Sequence, residues 1–306
     1  MSLPTRPLGR NGPQVSTIGF GLMVNVYGAN EDTLNRYFKA RPGARQKVFL
    51  ATKFGITYND GVWGARGDAE YVTESANKAL ARLGIDYIDL FYVHRIDQKT
   101  PIEITMKALV QIKNEGKIRH IGLSEASAST LRRAHAIHPV AAHQVEYSPF
   151  ELSIEKDSID VLATCRELGI AVVAYSPLGR GMLTGKLRSP ADFGEGDFRS
   201  TLPRFSPENF HKNLEVVDKF AEIAKKHNAT SGQLALAWLL AQAPEVIPIP
   251  GTTRFANLEE NVGAATLELG GTELTELDQA IRAADVVGER YSEGMLDLVY
   301  ADTPAL

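Results

Sequence analysis

From residue 47 onward, short β-branched apolar runs alternate with stretches whose apolar residues recur at helical spacing. KVFLATKFG (47–55) predicts a strand, and YVTESANKALARLG (71–84) predicts a helix stopped by Gly84. IDLFYVH (88–94) is almost wholly apolar, as suits a strand buried on both faces. For the next helix, Thr100 predicts the cap, Pro101 the first helical position and Glu103 the closing residue of a capping box. Ile102, Met106, Leu109 and Val110 make its apolar face, and Gly116 ends it. Strands are predicted again at IRHIGLSEA (118–126), AAHQVEYSPF (141–150) and AVVAYSPLGRG (171–181), separated by the helical runs ASTLRRAHAIH and SIDVLATCRELG. A helical region spans 213–243, with a capping box at Thr230 and Gln233. EVIPIPGTT (245–253) is the last predicted strand, and the helix FANLEENVGAA follows it. Upstream, an apolar run ends at Met23, and the helix NEDTLNRYFKA begins just after Tyr27 and Gly28.

This alternation predicts a parallel sheet covered by helices. It runs the whole length without a low-complexity linker, so residues 1–306 read as one undivided α/β domain. For that length a (β/α)8 barrel of TIM type is the leading choice. A doubly wound sheet comes second, because no G-x-G-x-x-G follows the first strand.

Composition narrows the function classes. A net charge of −4 with 23% charged residues gives no sign of a nucleic acid or an acidic membrane as partner. No stretch reaches the roughly 18 apolar residues of a membrane span, and the N-terminus has no apolar core of a signal peptide. The single cysteine, Cys165, forms no internal disulfide and reads as a buried, inert thiol, which fits a reducing cytoplasm. His135 and His138 are three apart on a helix, but no third ligand is near in sequence, so they read as surface histidines and no metal site is expected.

In a barrel of this type, chemistry sits at the C-terminal ends of the strands. Those ends carry Lys53, His94, Ser124 with Glu125, Gln144 with Tyr147, YSPLGRG and PGTTR. Tyr27-Gly28 before NED, the ATK ending in Lys53, DLFYVH, GLSEA, HQVEYSPF, YSPLGRG and IPGTTRFANLEEN together resemble the aldo-keto reductase family over about residues 7–270. The likeness is strongest to the microbial and plant branch that includes the potassium-channel β subunits. It implies a barrel that uses NADPH (NADP) to reduce carbonyl compounds. Tyr27 would be the proton donor, Lys53 the cation that makes its phenol more acidic, and His94 a hydrogen bond to the substrate oxygen. Tyr175 matches the aromatic on which the nicotinamide stacks, and Ser124 and Gln144 match the groups that bind its carboxamide. Gly21 and Met23 fall in the cofactor-facing first strand. Ser176, Pro177, Leu178, Gly179, Arg180, Gly181 and Lys186 would hold the phosphates, with backbone N–H groups clustered around the glycines. Gly251 precedes the helix start where Thr253 and Arg254 would take the 2′-phosphate, and Asn257, Glu260 and Asn261 match contacts at the adenine end.

One piece of the family pattern is missing. A helix and a second strand ordinarily separate the GFGLM-like run from the tyrosine, and that strand carries an aspartate, five residues before the tyrosine, that pairs with the lysine. Here position 22 is Leu22, and no Asp or Glu precedes Glu31. The chain is short by one βα unit, about 30 residues, after Met23. An open seam is therefore expected, with exposed apolar surface near Ile18, Phe20 and Leu50. Asp32 and Asp60 are the substitutes to consider for the lost carboxylate. The favoured function is NADPH-dependent reduction of aldehydes and ketones. The alternative is a cofactor-binding regulatory or redox-sensing protein without turnover. The partner is a small carbonyl compound, for which Trp63, Phe54 and Tyr147 suggest an aromatic character, and the pattern leaves room for a homo-oligomer.

Overall fold

Near-continuous apolar strands must be covered on both faces, and parallel neighbours need a crossover between them. The chain meets both demands with helices. In the computed structural model, which describes residues 3–22, 27–59 and 61–306, a hairpin comes first, β1 (Thr5–Pro7) and β2 (Gln14–Ser16). Helix α1 (Ala29–Ala40) leads to β3 (Ala51–Phe54), and a second hairpin follows in β4 (Ile56–Asn59) and β5 (Val62–Ala65). Alternation then continues through α2 (Ala69–Leu83), β6 (Ile88–Val93), α3 (Ile102–Asn114) and β7 (Ile118–Ser124). Next come α4 (Ala128–Ile137), β8 (Ala142–Glu146), α5 (Val161–Leu168) and β9 (Ala171–Tyr175). After several 3-10 turns, α6 (Pro207–Lys226), α7 (Ser231–Gln242), β10 (Val246–Pro248), α8 (Phe255–Gly263) and α9 (Gly271–Ala283) complete the chain's regular elements.

The six long-range strands form one parallel sheet in the order β10-β9-β8-β7-β6-β3. Residues 19–21 extend this wall beyond β10. The Gly19 amide donates to Pro248 O at 3.0 Å and the Gly21 amide to Pro250 O at 3.1 Å, and Gly21 bridges Gly251 in parallel. Both positions must be glycine. A Cβ on Gly21 would lie 2.7 Å from Ile249 O, and one on Gly251 would lie 2.8 Å from Gly21 O. The result is a TIM-type barrel wall. Among the described residues nothing pairs with the outer edge of β3, and α1 and a 3-10 turn (Arg45–Lys47) are the regular elements between the first strand segment and β3.

Helices cover more of the seam than the sequence suggests. Phe20 is 45% exposed, as expected, but Ile18 and Leu50 are each only 5% exposed. Ile18 packs with Leu236 of α7 and Ala264, while Leu50 joins the main core, which includes Val72 and Ala76 of α2. Inside the barrel, Tyr92 packs with Leu90, Ala142, Ala171, Val173 and Ile247, and Leu8 from the turn of the N-terminal hairpin closes that cluster. The hairpin passes close under the strand starts, where a Cβ on Gly9 would meet the carbonyls of Ala141 and Gly169 at 2.9 Å.

Local signals held unevenly. Gly84 is left-handed at the end of α2 (φ 64°), and the Thr230–Gln233 capping box is formed. The box predicted for α3 is not. Pro101 is its N-cap, the Thr100 hydroxyl donates to Asp97 at 2.7 Å, and the Glu103 carboxylate accepts from Arg133 Nε and Nη2, each at 2.8 Å. A nearby arginine outcompetes a backbone amide for that carboxylate.

The tight interior makes Gly122 a sharp test. A Cβ there would stand 2.5 Å from the Tyr92 ring. Gly122→Ala should lower stability by about 1–3 kcal/mol through overpacking, read as a lower denaturant midpoint.

Candidate active site

Five strand ends deliver polar side chains to one mouth. Lys53 lies near the end of β3 opposite Tyr92, His94 follows β6, Ser124 ends β7, Gln144 lies on β8 and Tyr175 ends β9. His94, Ser124 and Gln144 are buried, at 5%, 1% and 5% exposure. Tyr27 reaches the same mouth from the start of α1. Its neighbour Gly28 caps that helix at φ 101°, a conformation glycine adopts without strain.

The Tyr27 hydroxyl lies 3.2 Å from His94 Nδ1 and accepts the Ile56 amide at 3.0 Å. Burial, with the charges of Lys53 and Arg95, drives the His94 pKa well below its ordinary value, so the imidazole is neutral. A neutral ring can accept the phenol proton at Nδ1. Burial pushes the Tyr27 phenol itself up, against the Ile56 amide and Arg95, which act to lower it. Desolvation and Arg95 lower the Lys53 ammonium to about 8. Among the described residues no hydrogen bond joins Lys53 to Tyr27, and no carboxylate pairs with Lys53. Glu31 is buried but faces Thr52 (3.0 Å) and Arg82 (3.1 Å). Asp32 is exposed on α1, and Asp60 and Met23 lie outside the described residues.

Around the mouth runs an ionic network that spans the chain. Arg290 grips Glu125 with two N–H groups at 3.0 and 2.9 Å and reaches Glu146 at 3.4 Å. The Tyr175 hydroxyl donates to Glu125 at 2.8 Å and lies 3.0 Å from the Tyr291 hydroxyl. Arg180 pairs with Glu146 at 2.9 Å and lies over the Tyr291 ring. Its guanidinium is thereby held between a carboxylate and an aromatic face. The amides of Gly179 and Gly181 are likewise spent within their own turn, on Ser176 O (2.9 Å) and Leu178 O (3.0 Å). Pro177 is buried, and Ser176 and Leu178 are partly exposed in that turn.

The far end of the groove does assemble. Lys186 Nζ lies 3.3 Å from Asn257 Oδ1 and 3.7 Å from Glu260, and Glu260 accepts the Thr230 hydroxyl at 2.8 Å. Thr253 and Arg254 are exposed at the start of α8, where no side chain caps the helix, so its first-turn N–H groups are open to an anion. Thr252, which sequence reasoning passed over, accepts the Arg254 amide at 3.0 Å and the Asn257 side chain at 3.3 Å. Asn261 is buried beneath them.

Two aromatics expected at the substrate side are elsewhere. Phe54 stacks on Phe91 at 4.9 Å, and Tyr147 meets Trp238 edge-on while donating to Glu155; both belong to the core under the helices. Alternation of side chains along a strand puts them on the outer face. Trp63 packs on Tyr58 in the β4–β5 hairpin. Cys165 is fully buried, 3.8 Å from His143, and burial raises its thiol to about 12. The His135 ring accepts the Val140 amide.

The sequence model described as the Aldo/keto reductase family matches residues 23–282. The aldo-keto reductase str7 of Strobilurus tenacellus is 46% identical, with 100% of this chain and 99% of that protein covered. The aldo-keto reductase yakc [NADP(+)] of Schizosaccharomyces pombe is 45% identical over 341 positions, with the same coverages. The str7 alignment spans 343 positions, 37 more than the 306 residues here, so about that many of its positions have no counterpart in this chain. In structure, a glycerol dehydrogenase from Gluconobacter oxydans superposes with a TM-score of 0.82 at 24% identity, over 95% of this chain and 99% of that one. That likeness speaks for the fold alone. A thermostable aldo-keto reductase solved with the inhibitor epalrestat gives 0.71 at 25% identity, covering 91% and 100%.

The ionic network yields a stability prediction. Burial alone would raise the Glu125 carboxyl, but Arg290 and Arg95 hold it at about 2, below its ordinary 4.5. Its contribution is complete above pH 4.5 and is lost as pH falls toward 2. Arg290→Met, which strands that carboxylate, should cost about 3–5 kcal/mol at neutral pH, and Glu125→Gln should flatten the acid limb of the stability curve between those values, both read by urea unfolding.

Proposed function

The chain belongs to the aldo/keto reductase family, and on that premise we propose that it reduces aldehydes and ketones to alcohols with NADPH, Tyr27 giving the proton. The observation that carries this reading is the Tyr27–His94 hydrogen bond at the mouth, with Lys53 close enough to shift the histidine. A phenol hydrogen-bonded to a neutral ring, when it donates to Nδ1, can turn the same proton toward a carbonyl oxygen as charge develops there. His94 then orients that oxygen, and Lys53 with Arg95 supplies the positive field.

The residues present fit a phosphorylated dinucleotide. The open start of α8, with Thr253 and Arg254 beside it and Lys186 across from it, suits a 2′-phosphate, which is why we assign NADPH over NADH. Asn257, Glu260 and Asn261 would meet the adenine end. Ser124 and Gln144 offer the hydrogen-bonding groups a carboxamide needs, and Tyr175, its hydroxyl tethered by Glu125, offers a fixed ring face. Gly21 and Gly251 shape the groove, and the 176–181 turn, with its Gly179 and Gly181 amides used internally, would face the phosphates with its remaining amides. When bound, the reduced nicotinamide supplies the hydride to the carbonyl carbon. Among the described residues no helix is long and apolar enough to cross a membrane. We place the protein in the cytoplasm, where the lone buried Cys165 stays reduced.

A second reading is a cofactor-binding sensor without turnover. It is favoured by the raised Tyr27 phenol and by a Lys53 with no carboxylate among the described residues. Titrating NADPH fluorescence alongside reduction of benzaldehyde separates the two: binding with turnover supports the reductase, and binding without it supports the sensor. Tyr27→Phe should cut turnover by about 10²-fold or more while NADPH affinity moves little. Surviving turnover would name His94 as the acid instead. Arg254→Ala should weaken NADPH by about tenfold and NADH far less; equal losses would remove the 2′-phosphate assignment.

A further inference from the structure

Among the described residues, the mouth holds more positive than negative charge. Its two carboxylates, Glu125 and Glu146, are consumed by Arg290 and Arg180. Two further cations stand beside Tyr27 and His94. Arg95 is 6% exposed, and its guanidinium meets only neutral oxygens: His94 O at 2.8 Å, the Ser124 hydroxyl at 3.4 Å and the Tyr291 hydroxyl at 3.4 Å. Lys53 makes no hydrogen bond or ion pair among the described residues. The other acids nearby are turned elsewhere. Asp97 is spent on the amides of Gly67 and Lys99 and on the Thr100 hydroxyl. Glu31 serves Thr52 and Arg82. Buried charges are ordinarily paired, and Arg95 meets the Glu125 carboxylate only through space, with no hydrogen bond to it, so its donors remain available to another anion.

We propose that the missing negative charge arrives with the substrate: the site takes a carbonyl compound bearing a carboxylate, anchored by Arg95 with Lys53 as the second cation. The proposal rests on the reductase reading for its chemistry and on the charge inventory for its specificity. Phe54 and Tyr147 pack in the outer core, and the aromatic side chains described at the mouth, Tyr27, Tyr175 and Tyr291, each present a hydroxyl beside the cations. Arg95 presents a planar fork that a carboxylate can engage with two hydrogen bonds, and its long contacts to Ser124 and Tyr291 are weak enough to be exchanged.

The test uses two aldehydes alike except for charge, 4-formylbenzoate and its methyl ester, each reduced by the full chain at saturating NADPH. The acid should exceed the ester in kcat/KM by about tenfold or more, the range of one charge-assisted hydrogen bond. Arg95→Gln should collapse that ratio toward one, and Arg95→Lys should keep part of it; using a ratio removes any general loss of folded enzyme. Calorimetry with 4-(hydroxymethyl)benzoate gives a readout free of turnover, and its affinity should fall about tenfold in Arg95→Gln. Equal kcat/KM for acid and ester, or a preference that survives Arg95→Gln, overturns the proposal and leaves the reductase reading standing. Arg95-dependent binding of 4-(hydroxymethyl)benzoate with no reduction of either aldehyde upholds the anion site and contradicts the reductase reading. No binding and no reduction overturns both.

Discussion

The carboxylate of Glu125 is fully buried at the end of β7, and groups from three distant parts of the chain converge on it. The Arg290 guanidinium comes from the C-terminal segment, the Tyr175 hydroxyl from β9 and the Glu146 amide from β8. The main chain repeats the tie, because the Ala301 amide donates to Glu125 O and Ala301 O accepts from Ser127. Glu125 itself sits at φ 53°, a strained setting for a residue with a side chain. Burying this cluster costs desolvation, so its value lies less in stability than in geometry. It fixes where Tyr175, Arg180 and Tyr291 stand, and so shapes the walls of the site.

The same network explains the division between what the sequence disclosed and what it hid. Alternating apolar runs placed every strand of the main sheet, because a buried parallel strand can hardly be anything but apolar. Lys53 and His94 stood out because they end such runs. By contrast, the Glu125–Arg290 pair joins residues 165 positions apart, and nothing local marks them as partners. The N-terminal hairpin and β4–β5 were missed since their strands are three or four residues long and only partly buried. Phe54 and Tyr147 were misplaced by one step of strand parity, which composition does not reveal.

Loss of one βα unit is absorbed at the edge of the sheet. The first strand segment still pairs with β10, and α1 still pins the outer face of β3 through Glu31, Thr52 and Arg82. The cost falls on charge: among the described residues no carboxylate pairs with Lys53. That links the fold to the specificity argued above, because a cation with no described acid beside it is a cation available to a ligand.

The most direct test of this account is isotope transfer. The full chain is loaded with NADPH deuterated at the transferable position of the nicotinamide and mixed with 4-formylbenzoate, and the alcohol is weighed by mass spectrometry. One deuterium on the new carbinol carbon, lost when Tyr27 is replaced by Phe, is the predicted result. Bound cofactor with no deuterium in the alcohol would contradict the claim that a barrel short of one unit still performs the reduction.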